Sequence, residues 1–218
     1  MPHPASLRRA LALLSILAPL LVFGELAEDV WEHEGFTWDA PVLWWLHGHA
    51  TTALDRLMLG VTGLTDPVEM ASLSLLVCTL LAVRRRVPEA LLFGVAVCGA
   101  AVLNVLAKLA FHRARPHLWT TLVPETDYGF PSGHAMGTMA AVAALTILVW
   151  RTRARWWVAV PGGLLVAWVG LSRVYLGVHF PSDVLAGWSA SLAWVLATRW
   201  VLDSRTTLRV LRWFRPTV

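Results

Sequence analysis

Residues 88–110, PEALLFGVAVCGAAVLNVLAKLA, form one apolar run with Glu89 near its start and Lys108 near its end. At a rise of about 1.5 Å per residue, a helix of this length covers the roughly 30 Å of a bilayer's hydrocarbon core. Proline at its first position suits a helix start, where no N–H partner is needed. The stretch therefore reads as a transmembrane helix. Five further apolar runs flank it, at residues 9–26, 67–83, 132–150, 156–175 and 183–202. Asp66 before Pro67 and Ser132 before Gly133 are N-cap residue types at two of the starts. The expectation is an all-α integral membrane bundle of six transmembrane helices, with residues 1–218 forming a single membrane domain.

The whole chain agrees with that reading. It is 57% hydrophobic and 15% charged, against roughly 25% charge in a soluble domain. Cys78 and Cys98 both lie inside apolar runs, which leaves no disulfide framework, no CxxC and no zinc-type spacing. A net charge of +4 raises nucleic acid as a partner, but the basic residues are almost all arginines in short clusters between apolar runs. Nucleic acid is excluded as a partner. Arg8 and Arg9 precede the first run without a small-residue cleavage site, so it reads as a retained span and not a signal peptide.

The arginines also orient the bundle, because short loops rich in Lys and Arg stay in the cytoplasm. Arg8 and Arg9, then Arg84 to Arg86, then Arg151, Arg153 and Arg155, and finally Arg199 and the arginines of the C-terminal tail fall on one side. Only Glu89 and Asp203 share that side with them. The other side holds Arg56, Lys108, Arg113, Arg115 and Arg173 with all the remaining acids. Both termini are thus expected in the cytoplasm of an inner-membrane protein. The basic tail, 203–218, is expected to meet anionic lipid. Residues 28–65 combine acids with Trp31, Trp38, Trp44 and Trp45 and an apolar stripe of Leu54, Leu57, Met58 and Val61. They read as extracytoplasmic interfacial helices between spans one and two. Gly133 and Gly137 have GxxxG spacing, a weak sign of close helix packing.

Topology leaves some outer-face cations unexplained, and a cation near the end of an apolar span is costly without an anionic partner. Three chain segments reach the outer face together: 108–116 with Lys108, Arg113, Arg115 and Pro116; 131–134 with Pro131, Ser132, Gly133 and His134; and 172–183 with Ser172, Arg173, His179 and Asp183. A lysine point charge with two arginine forks suits a tetrahedral dianion, and the amides of Ser132, Gly133 and His134 at a helix start add donors. Two imidazoles and a carboxylate then complete a reaction: one imidazole as nucleophile, the other as general acid, and the carboxylate holding a tautomer. Asp183 lies four residues after His179 with Pro181 between them, a spacing that lets the carboxylate reach the ring.

The patterns K-x6-R-P, P-S-G-H and S-R-x5-H-x3-D resemble the three motifs of the type 2 phosphatidic acid phosphatase superfamily without a departure. The resemblance implies a metal-independent phosphatase with no cofactor, acting on a lipid phosphate or pyrophosphate. It implies that His179 attacks phosphorus to form a phosphohistidine, that Asp183 orients His179, and that His134 protonates the leaving oxygen. Lys108, Arg115, Arg173, Ser132 and the Gly133 amide would hold the phosphoryl oxygens. Undecaprenyl pyrophosphate, phosphatidylglycerophosphate and phosphatidic acid are the substrates it suggests, with membrane lipid as the only other partner; oligomeric state stays open. A lipid-linked phosphotransferase with the same phosphohistidine and a non-catalytic headgroup-binding protein are the alternatives. A haloperoxidase using vanadate in a similar pocket is disfavoured by the apolar spans.

Taken singly, Lys108 reads equally as a snorkelling residue, Arg173 as an interfacial anchor and Asp183 as a helix cap; three matched spacings together argue for the site. Arg113, His112 and His117 stand beside the first motif without being required by it, and read as solvent-facing or headgroup-tuning. His47 and His49 do not share a helix face, which argues against a metal pair. His33 with Glu34 does not extend to HExxH. Asp66 and Glu69 read as capping residues of the second span.

Overall fold

A computed structural model describes residues 4–203. The side chains of Arg8 and Arg9, and the basic tail at 204–218, lie outside the described residues. Among the described residues eight helices follow one another: α1 (Pro4–Trp31), α2 (Asp39–Gly48), α3 (Thr52–Gly63), α4 (Pro67–Val83), α5 (Val87–Phe111), α6 (Gly133–Val149), α7 (Arg155–Tyr175) and α8 (Pro181–Leu202). Strands are absent among the described residues. The ends of α4 to α8 fall within two residues of the apolar runs. The first helix differs: it continues to Trp31 instead of ending near Leu26. Its extra turn is held by the core, since Ala27 and Val30 are buried with Phe130 and Ala186. The chain turns away only at His33, whose φ of 60° is left-handed.

Among the described residues, three helices are long and apolar enough to cross a membrane: Ala10–Trp31, Val87–Phe111 and Arg155–Tyr175. Thr52–Gly63 and Pro67–Val83 meet the same test only as a pair, bent by 44° at the break between them. Large apolar side chains cover the outside of the molecule, with Leu21 65%, Leu106 57% and Leu164 66% exposed. A surface this apolar is stable only in lipid, where helices satisfy their own backbone groups. The chain is a membrane protein.

Helix α8 packs against α1, α5 and α6, and α6 lies against α5, α7 and α8. Where these helices meet, Ala96 and Ala100 of α5, Ala140 and Ala144 of α6 and Val195 of α8 are buried around Phe93. Small residues permit this approach of backbones. At Gly99 a Cβ would run into the Trp194 ring of α8. The GxxxG spacing has a smaller role than its form suggests. A Cβ at Gly133 would meet Asn104 Oδ1 at 3.1 Å, but at Gly137 it would meet nothing within 4 Å.

Residues 28–65 do form helices. Thr51 caps α3 by accepting the Leu54 N–H at 3.3 Å. Met58 of the apolar stripe is buried against Tyr175, Leu176 and Val178, whereas Leu57 is exposed. Leu43 of α2 is fully buried beside Ala135, Val174 and Val184. The two short helices thus sit on the ends of α6, α7 and α8, where the three motifs meet.

Candidate active site

The last turn of α7 and the turn after it place His179. Backbone N–H groups of Val178 and His179 both donate to the Arg173 carbonyl, at 3.2 and 3.3 Å, so the chain folds back over the residue that precedes it in the motif. Gly177 makes this possible: its φ is +73°, and a Cβ there would also stand 2.6 Å from the Trp119 ring. Pro181 then opens α8. His179 is 1% exposed and Asp183 is fully buried. Asp183 Oδ2 accepts the Phe180 N–H at 2.9 Å and stands 3.4 Å from His179 Nδ1. The predicted spacing therefore does bring carboxylate and ring together.

The start of α6 is fastened to the same place. Ser132 N–H donates to the Asp183 carbonyl at 3.0 Å, Asn104 Nδ2 donates to the Pro131 carbonyl at 2.9 Å, and a Cβ at Gly187 would be 2.9 Å from the Ser132 carbonyl. Ser132 Oγ does not cap α6 as its position suggests: it is buried without a hydrogen-bond partner. His134, in the first turn, meets Asp66, with Nε2 3.2 Å from Oδ1. This corrects the capping role expected of Asp66, whose side chain makes no cap bond to α4. Arg173 and Glu125 are close enough to act electrostatically on the His134 ring.

Lys108, Arg115 and Arg173 converge as expected. Arg115 Nη1 donates to His179 Nε2 at 2.9 Å and to the Val178 carbonyl at 2.8 Å. An Nε2 that accepts leaves the ring proton on Nδ1, facing Asp183. Burial, and after it the Arg115, Arg173 and Lys108 cations, push His179 well below the ordinary imidazole range. The ring is neutral, with its lone pair turned toward the cations, which is the form a nucleophile requires. Arg173 is 1% exposed; its Nη1 donates to Thr62 Oγ1 at 2.7 Å, and its Nε is buried without a partner.

Two carboxylates that sequence reasoning passed over stand among these cations. Asp127 bonds both Lys108 and Arg115, and Glu125 bonds Arg173 and lies 3.3 Å from Arg115 Nη2. Burial acts against the Asp127 charge, but the Lys108 and Arg115 hydrogen bonds prevail and hold its carboxyl at about 2. Their oxygens take up the donors of Lys108, Arg115 and Arg173. Nothing in sequence marks them, since acids in a polar loop are ordinary.

Arg113 also departs from expectation. It neither faces solvent nor joins the cluster of Lys108, Arg115 and Arg173. Its Nη1 donates to Asp183 Oδ1 at 2.5 Å and to Ser182 Oγ at 2.7 Å, and its Nη2 donates to Asp39 Oδ2 at 2.9 Å. Burial pushes the Asp39 carboxyl above its usual range even though Ser182 and Arg113 bond to it. His112 does stay apart, ending α5 with a φ of 47° and packing edge-on to Tyr128; His117 is exposed. His47 stacks on Trp119 at 4.0 Å, and His49 Nδ1–H donates to the Trp45 carbonyl at 2.7 Å, so the two rings have separate surroundings.

A sequence model of the PAP2 superfamily matches residues 89–206. Phosphatidylglycerophosphatase B of Bacillus subtilis is 31% identical over 144 residues, 64% of this chain and 70% of the relative. Undecaprenyl-diphosphatase BcrC of the same organism is 32% identical over 146 residues, 64% of this chain and 72% of the relative. The crystal structure of a transmembrane PAP2-type phosphatidylglycerolphosphate phosphatase from Bacillus subtilis superposes with a TM-score of 0.78 over 88% of this chain and 98% of that one. At 24% identity that likeness speaks to the fold alone.

Proposed function

The chain belongs to the PAP2 superfamily and is a lipid phosphatase, and we propose that it dephosphorylates a lipid phosphate or pyrophosphate through a phosphohistidine on His179, without a metal. The observation that carries this reading is the His179 ring itself. Asp183 stands behind Nδ1, Arg115 faces Nε2, and Lys108 and Arg173 act on the same ring.

In the first step the substrate's phosphoryl oxygens take the places of the Glu125 and Asp127 carboxylates on Lys108, Arg115 and Arg173, with Ser132 Oγ and the Gly133 N–H as further donors. His179 Nε2 forms a bond to phosphorus while the bond to the lipid oxygen breaks. His134 gives that oxygen a proton, the leaving oxygen replacing Asp66 as the acceptor. The phosphorylated ring is cationic, and Asp183 opposes that charge. In the second step His134 takes a proton from water, the water oxygen attacks phosphorus, and the N–P bond breaks to restore neutral His179. Preorganised donors around the anionic transition state supply the largest part of the catalysis.

The reading extends to the whole chain: one membrane domain over 1–218, six spans, both termini in the cytoplasm, and the site at the outer face of the inner membrane. On this reading the spans are α1 and α4 to α8, and the arginine distribution supports the orientation. α2 and α3 then lie at the outer interface. A cavity of about 480 Å³ beside the site, walled by Leu20, Phe23, Leu106, Phe111, Pro131 and Trp194, suits an acyl or prenyl tail.

The test is phosphate release by detergent-purified protein from undecaprenyl pyrophosphate, phosphatidylglycerophosphate, phosphatidic acid and a soluble phosphate ester, each with and without EDTA. Release from at least one lipid, unchanged by chelator, is expected. Loss of activity with EDTA would contradict the metal-free reaction, and a phosphorylated acceptor in place of free phosphate would make the protein a transferase. A second outcome follows from the loop carboxylates. Asp127→Asn removes a charge that competes with phosphate for Lys108 and Arg115, so the Ki for inorganic phosphate falls roughly tenfold, the scale of one charge-assisted hydrogen bond. An unchanged or higher Ki in a folded variant would show that Asp127 does not compete for that site.

A further inference from the structure

We propose that Arg113, clamped by Asp39, is the positioning residue for Asp183, so that helix α2 is coupled to the orientation of the His179 ring. The inference rests on the phosphohistidine reading and deepens it.

The geometry separates Arg113 from the phosphate cradle. Lys108, Arg115 and Arg173 pair with Glu125 and Asp127, whereas Arg113 pairs, among the described residues, with Asp39 and Asp183. Each oxygen of Asp183 has its own work. Oδ2 takes the Phe180 N–H and faces the His179 ring; Oδ1 takes Arg113 Nη1 at 2.5 Å. A carboxylate bonded at only one oxygen can rotate about its Cβ–Cγ bond. Bonded at both, it is fixed, and the oxygen that faces Nδ1 stays in place.

Arg113 is itself held from every side. Asp39 Oδ2 accepts Nη2 at 2.9 Å. Asp39 Oδ1 accepts the Ser182 N–H at 3.0 Å, and Ser182 Oγ–H donates to Asp39 Oδ2 at 2.5 Å, which ties the start of α2 to the first turn of α8. The guanidinium lies 4.6 Å from the centre of the Phe180 ring and 5.5 Å from that of Phe36. Side-chain exposure falls from 14% at Arg113 to 4% at Asp39 and zero at Asp183. A planar fork between two buried carboxylates is a use that lysine, with a single point of charge, fills only in part.

The experiment compares Arg113→Met, Arg113→Lys and Asp39→Asn with wild type, by kcat and KM on a lipid that the wild type hydrolyses and by ¹⁵N-histidine NMR of His179 in detergent. Arg113→Met lowers kcat about 10- to 100-fold with KM within a few-fold of wild type, and the NMR shows the Nδ1–H tautomer replaced by a mixture. Arg113→Lys recovers part of the kcat, and Asp39→Asn lowers kcat in the same sense by less. A higher KM with unchanged kcat would overturn the proposal and assign Arg113 to headgroup binding. A wild-type tautomer in Arg113→Met would overturn it too, as would folded Arg113→Lys and Asp39→Asn proteins with wild-type kcat. If wild type itself releases no phosphate, the phosphatase reading fails, while the tautomer comparison still decides the positioning role.

Discussion

His179→Ala lowers phosphate release by about 10⁴-fold or more, the scale seen when a covalent nucleophile is removed from a cooperating set. Burial and the surrounding cations keep the His179 ring neutral, and Arg115 holds its Nε2 in the cradle. No cysteine shares that position, since Cys78 and Cys98 belong to the apolar runs of α4 and α5. The substitution leaves the charges of Lys108, Arg115 and Arg173 in place and removes only the Arg115 bond to the ring, so on the proposed reading vanadate or inorganic phosphate still binds. A depressed imidazole value also sets the sign of the pH dependence: the nucleophile stays unprotonated as pH falls through the ordinary imidazole range, and the acid limb due to His179 lies below it. The measurement is turnover of wild type and variant at matched folded fraction. Retained turnover in His179→Ala would remove the phosphohistidine from the mechanism.

Asp183→Asn is expected to cost nearly as much, about 10⁴-fold in kcat, as in other triads where the orienting aspartate becomes an amide. The reason lies in the tautomer. Arg115 donates to Nε2, so the lone pair is on Nε2 and the proton on Nδ1, which stands 3.4 Å from Asp183 Oδ2. An amide in the same place can turn its NH₂ toward Nδ1, which then accepts, and the proton moves to Nε2. The nucleophilic lone pair is lost with little change in shape. The amide also cannot oppose the positive charge of the phosphorylated ring. The oxygen that faces Nδ1 also accepts the Phe180 N–H, so kcat is compared at matched folded fraction, which separates loss of chemistry from loss of the α8 cap. A kcat within tenfold of wild type would contradict the role given to Asp183.

The sequence made the motif residues legible for a physical reason. His179 and Asp183 are four positions apart across one proline, and Ser132 to His134 are contiguous at a helix start, so local geometry alone determines much of their relation. Helix positions were legible because lipid demands long apolar runs, and α4 matches its run without a shift. The partners of the motif residues were not. Arg113 meets Asp39 across 74 positions and Arg173 meets Glu125 across 48, and no local pattern selects one acid of a polar segment over another. Asp66 illustrates the limit most clearly. Its place before Pro67 has the form of an N-cap, yet its carboxylate goes to His134, 68 residues away. The length of α1 escaped for a related reason, because its last turn is held by packing on Phe130 and Ala186 and not by its own sequence.

The central claim is a covalent bond between His179 and phosphorus. Rapid quenching of wild-type protein with a ³²P-labelled lipid phosphate, followed by mapping of the acid-labile, base-stable label, tests it directly. Label is expected on the peptide that contains His179, turned over on a chase with unlabelled substrate and absent from His179→Ala. Rapid phosphate release with no protein-bound label at any quench time, or the same label in His179→Ala, would contradict it.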